Sequence, residues 1–215
     1  MNSHFAKPVS KRISTNRSRS GSIAGCLAVL LALVLSKIGL MYLVLSSSLH
    51  PTSRSRILAR ACGEQLAKLG EPSEFFDLAE NPLPPCDGAA AYGDPNVGKL
   101  SDLIQQSDAI LLASPVYNYD VNAAAKNAVE LTGRAWTGKV VSLLLAAGGQ
   151  GSYMSAMGLA NSLMLDFRCI IVPRFVYATG ESFEGDRLAD DDIQQRVDAL
   201  VADTTRIARA LARPQ

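Results

Sequence analysis

Short runs that are apolar at nearly every position, recurring between stretches of helical spacing, constrain this chain more than any other feature. Met41-Tyr-Leu-Val-Leu45 is the first, and it leads into Ser46-Ser-Ser48; Ala109-Ile-Leu-Leu-Ala113, Val140–Ala146 and Cys169-Ile-Ile-Val172 follow the same pattern. A strand with one wet face alternates apolar and polar residues, whereas a strand covered on both faces reads as a continuous apolar run. These segments therefore belong to a buried parallel sheet, and Glu74-Phe-Phe-Asp-Leu78 adds a strand that is second in chain order. Residues 53–69 place Ile57, Leu58, Ala61, Leu66 and Leu69 at near-helical spacing, with Gly70 as the stop signal. Further helices are predicted over 97–106, 123–131, 153–165 and 191–211, and residues 81–96, with four prolines, form a long loop. Alternating strands and helices predict an α/β fold with a five-stranded, doubly wound parallel sheet between helical layers. At 215 residues and 48% hydrophobic, the chain supports one sizeable core.

Charge divides the chain unevenly. Lys7, Lys11, Arg12, Arg17, Arg19 and Lys37 precede residue 41 without a single acid, which leaves 15 basic residues against 20 acidic ones in residues 41–215, a net of −5. Phosphate-backbone binding needs a clustered basic face, so a nucleic-acid partner is not expected. Cys26, Cys62, Cys86 and Cys169 are widely spaced and form no C-x-x-C, and the only histidines are His4 and His50; neither a zinc knuckle nor a dithiol redox motif is indicated. Scattered thiols suit a reducing compartment, so a cytoplasmic location is expected.

Residues 1–40 form a basic, Ser-rich leader followed by an apolar run from Ile23 to Leu35. Two readings stand. One is a signal or membrane anchor, although the apolar run is shorter than the roughly 20 residues of a spanning helix. The other is that residues 1–40 lie outside the working domain, 41–215, which then begins directly on a strand. A membrane association or export is expected only if the leader is retained.

In an open parallel sheet the ligand lies beyond the carboxyl ends of the strands, so the loops after the first, third and fourth strands in chain order carry the chemistry. The first, Ser46-Ser-Ser-Leu-His-Pro-Thr-Ser-Arg-Ser-Arg56, is rich in hydroxyls and runs into a helix N-terminus. Hydroxyls, free N–H groups and the two arginines suit a single phosphate; the plainer reading is a helix capped by Ser53. The second, Ser114-Pro-Val-Tyr-Asn-Tyr-Asp120, offers a rigid turn with outward backbone groups, suited to the edge of a flat heterocycle, and Tyr117 or Tyr119 to lie against it. Its plainer reading is an ordinary turn, with Lys126 and Glu130 a surface pair. The third, Ala147-Gly-Gly-Gln-Gly-Ser152, lets backbone approach a flat ligand or simply turns tightly. It has neither G-x-G-x-x-G spacing nor a Gly-Lys-Ser/Thr, which disfavours a tightly held dinucleotide or nucleoside triphosphate.

Taken together the three loops resemble the NADPH-dependent FMN reductase family of flavodoxin-like proteins over roughly residues 41–180. The family's P-x-Y-N turn, its Lys-Asn helix and its Gly-Gly-x-Gly turn are present as Pro115-Val-Tyr-Asn118, Lys126-Asn127 and Gly148-Gly-Gln-Gly151. Its G-S-x-R-x-x-S loop is altered: Ser47 replaces the glycine and His50 the arginine, while Ser48 and Ser53 are kept. The family's proline after the Tyr-Asn turn is also missing, with Asn122 near its place. The resemblance implies a flavodoxin-like sheet of order 2-1-3-4-5 and bound FMN. Ser48, His50, Ser53 and Ser55 would hold the phosphate, with Arg54, Arg56 and Ser55 offsetting the altered loop. Pro115, Val116, Tyr117 and Asn118 would meet the flavin edge, and Gly148, Gly149, Gln150 and Gly151 its other side.

The same resemblance implies NADPH or NADH as electron donor, a small-molecule acceptor such as a flavin, quinone, azo or nitro compound or metal oxyanion, and a homodimer or homotetramer. No side chain is expected to be catalytic, because the cofactor carries the chemistry. Two alternatives accompany this expectation: a non-catalytic flavodoxin-like electron carrier, and a flavodoxin-like binding module without cofactor. Met154, Met157 and Met164 fall along one predicted helix, and such a stripe is read first as core.

Overall fold

The structure, a computed structural model, describes residues 39–212; the leader and the two readings made of it lie outside the described residues. In chain order the elements are β1 (Tyr42–Ser46), α1 (Arg54–Lys68), β2 (Ser73–Asp77), α2 (Pro95–Gln106), β3 (Ala109–Tyr117), β4 (Asp120–Val121), α3 (Ala123–Thr132) and β5 (Val140–Ala146), followed by α4 (Met157–Phe167), β6 (Ile170–Ile171), β7 (Val176–Ala178), β8 (Phe183–Glu184), β9 (Arg187–Leu188) and α5 (Asp191–Ala212). Helix starts follow the capping residues. Ser53 accepts from the Arg56 N–H, Asp94 caps α2 ahead of Pro95, and Asn122 accepts from the Ala125 N–H at the head of α3.

The main sheet runs β2-β1-β3-β5 in parallel, and its fifth position is shared by β6 and β7, both parallel to β5. This is the 2-1-3-4-5 order of the flavodoxin-like fold expected above. Residues alternate strictly between its two faces. Leu43, Leu45, Ile110, Leu112, Leu143 and Leu145 face the layer that includes α2, α3 and α4. Tyr42, Val44, Leu111, Ala113, Leu144 and Ala146 face α1 and α5. Burying a large apolar side chain contributes roughly 1.5–3 kcal/mol, so it is this two-sided cover that requires continuous apolar runs.

Three features differ from the expectations. The fifth strand is broken: Ile170–Ile171 pairs with Val140–Val141, Val176–Ala178 pairs with Leu144–Ala146, and Pro173, which has no N–H to donate, lies between them. The helix expected over 153–165 begins as a 3-10 segment, Gln150–Ala156, and becomes α-helical only at Met157. The methionine stripe is not core: Met154, Met157 and Met164 are 49%, 40% and 39% exposed, and Leu165 beside them is 67% exposed. Among the described residues no helix is long and apolar enough to cross a membrane.

Candidate functional site

The loops after β1, β3 and β5 meet at one end of the sheet around a cavity of about 330 Å³. Ser48, His50, Ser53 and Ser55 come from the first loop, Pro115, Val116 and Tyr117 from the second, and Gly148 from the third. Thr52, Arg54, Ala146 and Ala147 complete the lining. Of the residues expected here, Asn118 lines a neighbouring groove with Asp120 and Lys126 instead, and Gly149, Gln150 and Gly151 stand beyond the wall as exposed residues. A larger groove of about 740 Å³ runs between α3, α4 and Cys86 and Tyr92 of the long loop, but none of the three strand-end loops contributes to it. Convergence of chemistry, rather than size, picks out the smaller cavity.

The first loop is held from behind. Arg56 is buried and forms an ion pair with Asp77 at the end of β2, where Nε bonds one carboxylate oxygen and Nη2 lies 3.2 Å from the other. Its remaining donors reach the carbonyls of Pro51 at 2.8 Å, His50 at 3.0 Å and Ser48 at 3.3 Å. The expectation that Arg56 helps to hold a phosphate is therefore corrected: its donors are engaged inside the protein, and it braces the loop against β2. A buried, fully bonded guanidinium of this kind is strongly destabilising to break. His50 is exposed, and its Nδ1 accepts from the Thr52 backbone N–H at 3.2 Å, which fixes the local turn.

Ser47 and Asn122, two of the three departures noted in the sequence, touch each other. The Ser47 hydroxyl lies 2.8 Å from Asn122 Oδ1, and Asn122 Nδ2 donates to the Ser47 carbonyl at 2.8 Å. Ser114 joins them, its hydroxyl 3.0 Å from Asn122 Oδ1 and accepting from the Asn122 N–H at 3.1 Å. All three residues are buried. Asn122 has φ −65°, the angle a proline ring imposes, but unlike a proline it has an N–H to give to Ser114 and a side chain that ties the first loop to the second. Sequence spacing gives no signal for such a contact across 75 residues.

The second loop is a two-residue hairpin, with Val116 opposite Val121 and Tyr117 opposite Asp120. Asn118 and Tyr119 both have positive φ, 52° and 67°, the conformation that the right-handed twist of a two-residue hairpin demands. Tyrosine is a poor residue there, and Tyr119, like Tyr117, is 56% exposed. Asn127 does not face the cavity: it donates to the Pro84 carbonyl at 2.9 Å and accepts from the Cys86 N–H at 2.8 Å, which pins the long loop onto α3. Lys126 pairs with Glu130 at 3.2 Å on the surface, as the plainer sequence reading had it.

The glycines of the third loop bear on what the cavity accepts. None of Gly148, Gly149 and Gly151 has a positive φ, and a Cβ added to any of them would meet no atom within 4 Å. Neither backbone conformation nor packing requires glycine at these positions. What the glycines leave is open space beside exposed backbone. Tyr177 on β7 was not singled out by the sequence; its hydroxyl donates to the Gly149 carbonyl at 2.5 Å, and Tyr153 packs edge-on against its ring at 5.5 Å.

This donor set fits a flat ring carrying a phosphate. At one end lie the Ser48, Ser53 and Ser55 hydroxyls and the first turn of α1, whose leading N–H groups have no partner within the helix. No carboxylate lines the cavity, and α1 has no acid in its first turn. Pro115–Tyr117 and Ala146–Gly148 supply the rest of the lining from the ends of β3 and β5.

Comparison with known proteins agrees with this geometry. The sequence profile of the family described as NADPH-dependent FMN reductase matches residues 41–184. The chain is 31% identical over 169 residues to an NAD(P)H-dependent FMN reductase of Pseudomonas aeruginosa, covering 73% of this chain and 90% of that one. It is 30% identical over 170 residues to an NAD(P)H:quinone oxidoreductase of Solanum tuberosum, covering 73% and 87%. Among solved structures, a flavoenzyme NAD(P)H:acceptor oxidoreductase from Paracoccus denitrificans superposes with a TM-score of 0.66 at 22% identity, over 79% of this chain and 97% of that one, which shows the shared fold.

Proposed function

The chain belongs to the NADPH-dependent FMN reductase family, and from that premise we propose that it binds FMN in the cavity at the ends of β1, β3 and β5 and passes electrons from NAD(P)H to a small acceptor. The observation that carries this reading is the convergence of the hydroxyl-rich loop, the Pro115–Tyr117 edge and Gly148 on one cavity free of carboxylates. When bound, FMN supplies the redox chemistry, accepting hydride from the nicotinamide and returning electrons to the acceptor.

The protein's part is to bind and orient. Ser48, Ser53 and Ser55, together with the first-turn N–H groups of α1, hold the phosphate, and His50 stands at the rim. Pro115, Val116 and Tyr117 present backbone groups to the ring edge, where fixed donors stabilise negative charge without reorganising, and Asn118 carries the same turn into the neighbouring groove. Gly148 admits the ring from the other side, Gly149, Gln150 and Gly151 continue the turn beyond the wall, and Tyr177 holds that turn in place through the Gly149 carbonyl. The open face leaves quinones, azo and nitro compounds, flavins and metal oxyanions as acceptors. The exposed stripe of Met154, Met157, Met164 and Leu165 supports association into a homodimer or homotetramer. The working domain is residues 41–215, in the cytoplasm.

The test is a visible absorption spectrum of the protein expressed from Met41, recorded before and after anaerobic addition of NADPH. A flavin spectrum that bleaches supports the reading. A bound flavin that NADPH leaves oxidised makes the protein a carrier, and a colourless protein that takes up no added FMN makes it a binding module.

A further inference from the structure

Three basic side chains stand in the first loop, and the structure separates them. Arg56 is spent on Asp77 and three loop carbonyls. His50 has one ring nitrogen occupied by the Thr52 N–H. Arg54 alone lines the cavity with its guanidinium in no ion pair among the described residues. It occupies the first position of α1, directly after the Ser53 cap, and is exposed.

The far end of Arg54 rests where a side chain would otherwise be. A Cβ on Gly180, in the loop following β7, would lie 2.8 Å from Arg54 Nη1 and 3.3 Å from its Cζ. Gly180 does not have a positive φ, so its backbone conformation is open to any residue. The three nearest atoms that a Cβ there would meet all belong to the Arg54 guanidinium. Gly180 is thus a seat for the arginine.

We propose that Arg54, seated on Gly180, is the cation that fixes the phosphate end of the flavin in this chain, doing the work for which the family's loop has an arginine at the position of His50. The inference rests on the FMN-binding reading above and deepens it: selectivity for the phosphorylated flavin over riboflavin comes from Arg54. Two loops from opposite parts of the chain are thereby coupled, since residue 180 decides where the charge at residue 54 sits.

The test is a fluorescence-quenching titration of apoprotein with FMN and with riboflavin, on the parent chain and on Arg54→Ala, Arg54→Lys, Gly180→Ala and the Arg54→Ala/Gly180→Ala double variant. A charge-assisted hydrogen bond corresponds to roughly a tenfold to hundredfold change in affinity. Arg54→Ala should lose about that factor for FMN and change by less than about twofold for riboflavin, and its FMN affinity should depend less steeply on salt. Arg54→Lys, which keeps the charge, should recover most of the loss. Gly180→Ala should weaken FMN binding in the parent but add nothing once Arg54 is gone, the mark of a coupled pair.

Equal loss for FMN and riboflavin in Arg54→Ala overturns the inference, as does an effect of Gly180→Ala that is the same in both backgrounds. Unchanged FMN binding in Arg54→Ala overturns it while leaving the reductase reading intact. A parent protein that takes up no FMN overturns both.

Discussion

Replacing Asn122 by alanine should loosen the candidate site from beneath while leaving its lining residues unaltered. The substitution removes the cap on α3, an acceptor 3.2 Å from the Ala125 N–H, which is worth about 1 kcal/mol. It also takes the amide donor from the Ser47 carbonyl, and a buried acceptor left without a partner costs about 1–3 kcal/mol. The Ser47 and Ser114 hydroxyls have fallback acceptors in the Ala113 and Pro115 carbonyls at 3.0 and 2.9 Å, so neither adds to the loss. The total is about 2–4 kcal/mol, or a fall in Tm of roughly 4–16 °C for a domain of this size. Urea denaturation at constant m-value and a thermal melt measure it directly. A loss below about 1 kcal/mol would show that the two loops are not joined through Asn122 in the way described.

Other outcomes follow from the same structure. Asp77→Ala strands the buried Arg56 and should cost about 3–5 kcal/mol, whereas the double change Asp77→Ala/Arg56→Met should cost distinctly less; equal losses in urea would count against the brace. Tyr119→Gly relieves a left-handed tyrosine and should raise stability by about 0.5–1 kcal/mol, despite removing a large side chain; a lower urea midpoint would show that the ring packs where it appears exposed. Asp190, Asp203 and Asp87 are all held below the usual carboxylate range: Asp190 by the Ile193 N–H, Asp203 by Arg206 and Arg174, and Asp87 by the Ala89 and Ala91 N–H groups. Their stabilisation is complete above the ordinary aspartate value near pH 3.9 and is lost as the pH falls through their lower folded values. The urea midpoint should therefore hold from about pH 6 down to about pH 4 and fall below that; a decline that sets in above about pH 5 would assign acid unfolding to other groups.

The strands and their flanking helices were legible because they depend on local pattern, whereas the order of the sheet came from the family resemblance. Continuous apolar runs follow from two-sided burial, and Ser53, Asp94–Pro95 and Gly70 mark helix ends through contacts a few residues away. The three ligand loops could be placed for the same reason, since they follow strands. Their supports could not. Arg56 finds Asp77 across 21 residues, Tyr177 finds Gly149 across 28, and Asn122 finds Ser47 across 75. Which arginine faces the cavity and which turns inward depends on those partners, and so Arg54 and Arg56 looked alike until the partners were seen. The fifth strand was half legible: Cys169–Val172 declares itself, while Val176–Ala178 lies beyond a proline that ordinarily ends a strand.

That interrupted strand has a meaning for how copies of the protein coexist in solution. It forms one outer border of the sheet, and an uninterrupted border of unpaired N–H and C=O groups is a template on which another chain can add itself. Here the border is cut by Pro173, which cannot donate, and Arg174 beside it is tied to Asp203 at 2.9 Å. Two fragments of two and three residues offer too short a template for an incoming strand to register against. The kink that obscured the strand in the sequence thus guards a concentrated α/β protein against growing edge to edge.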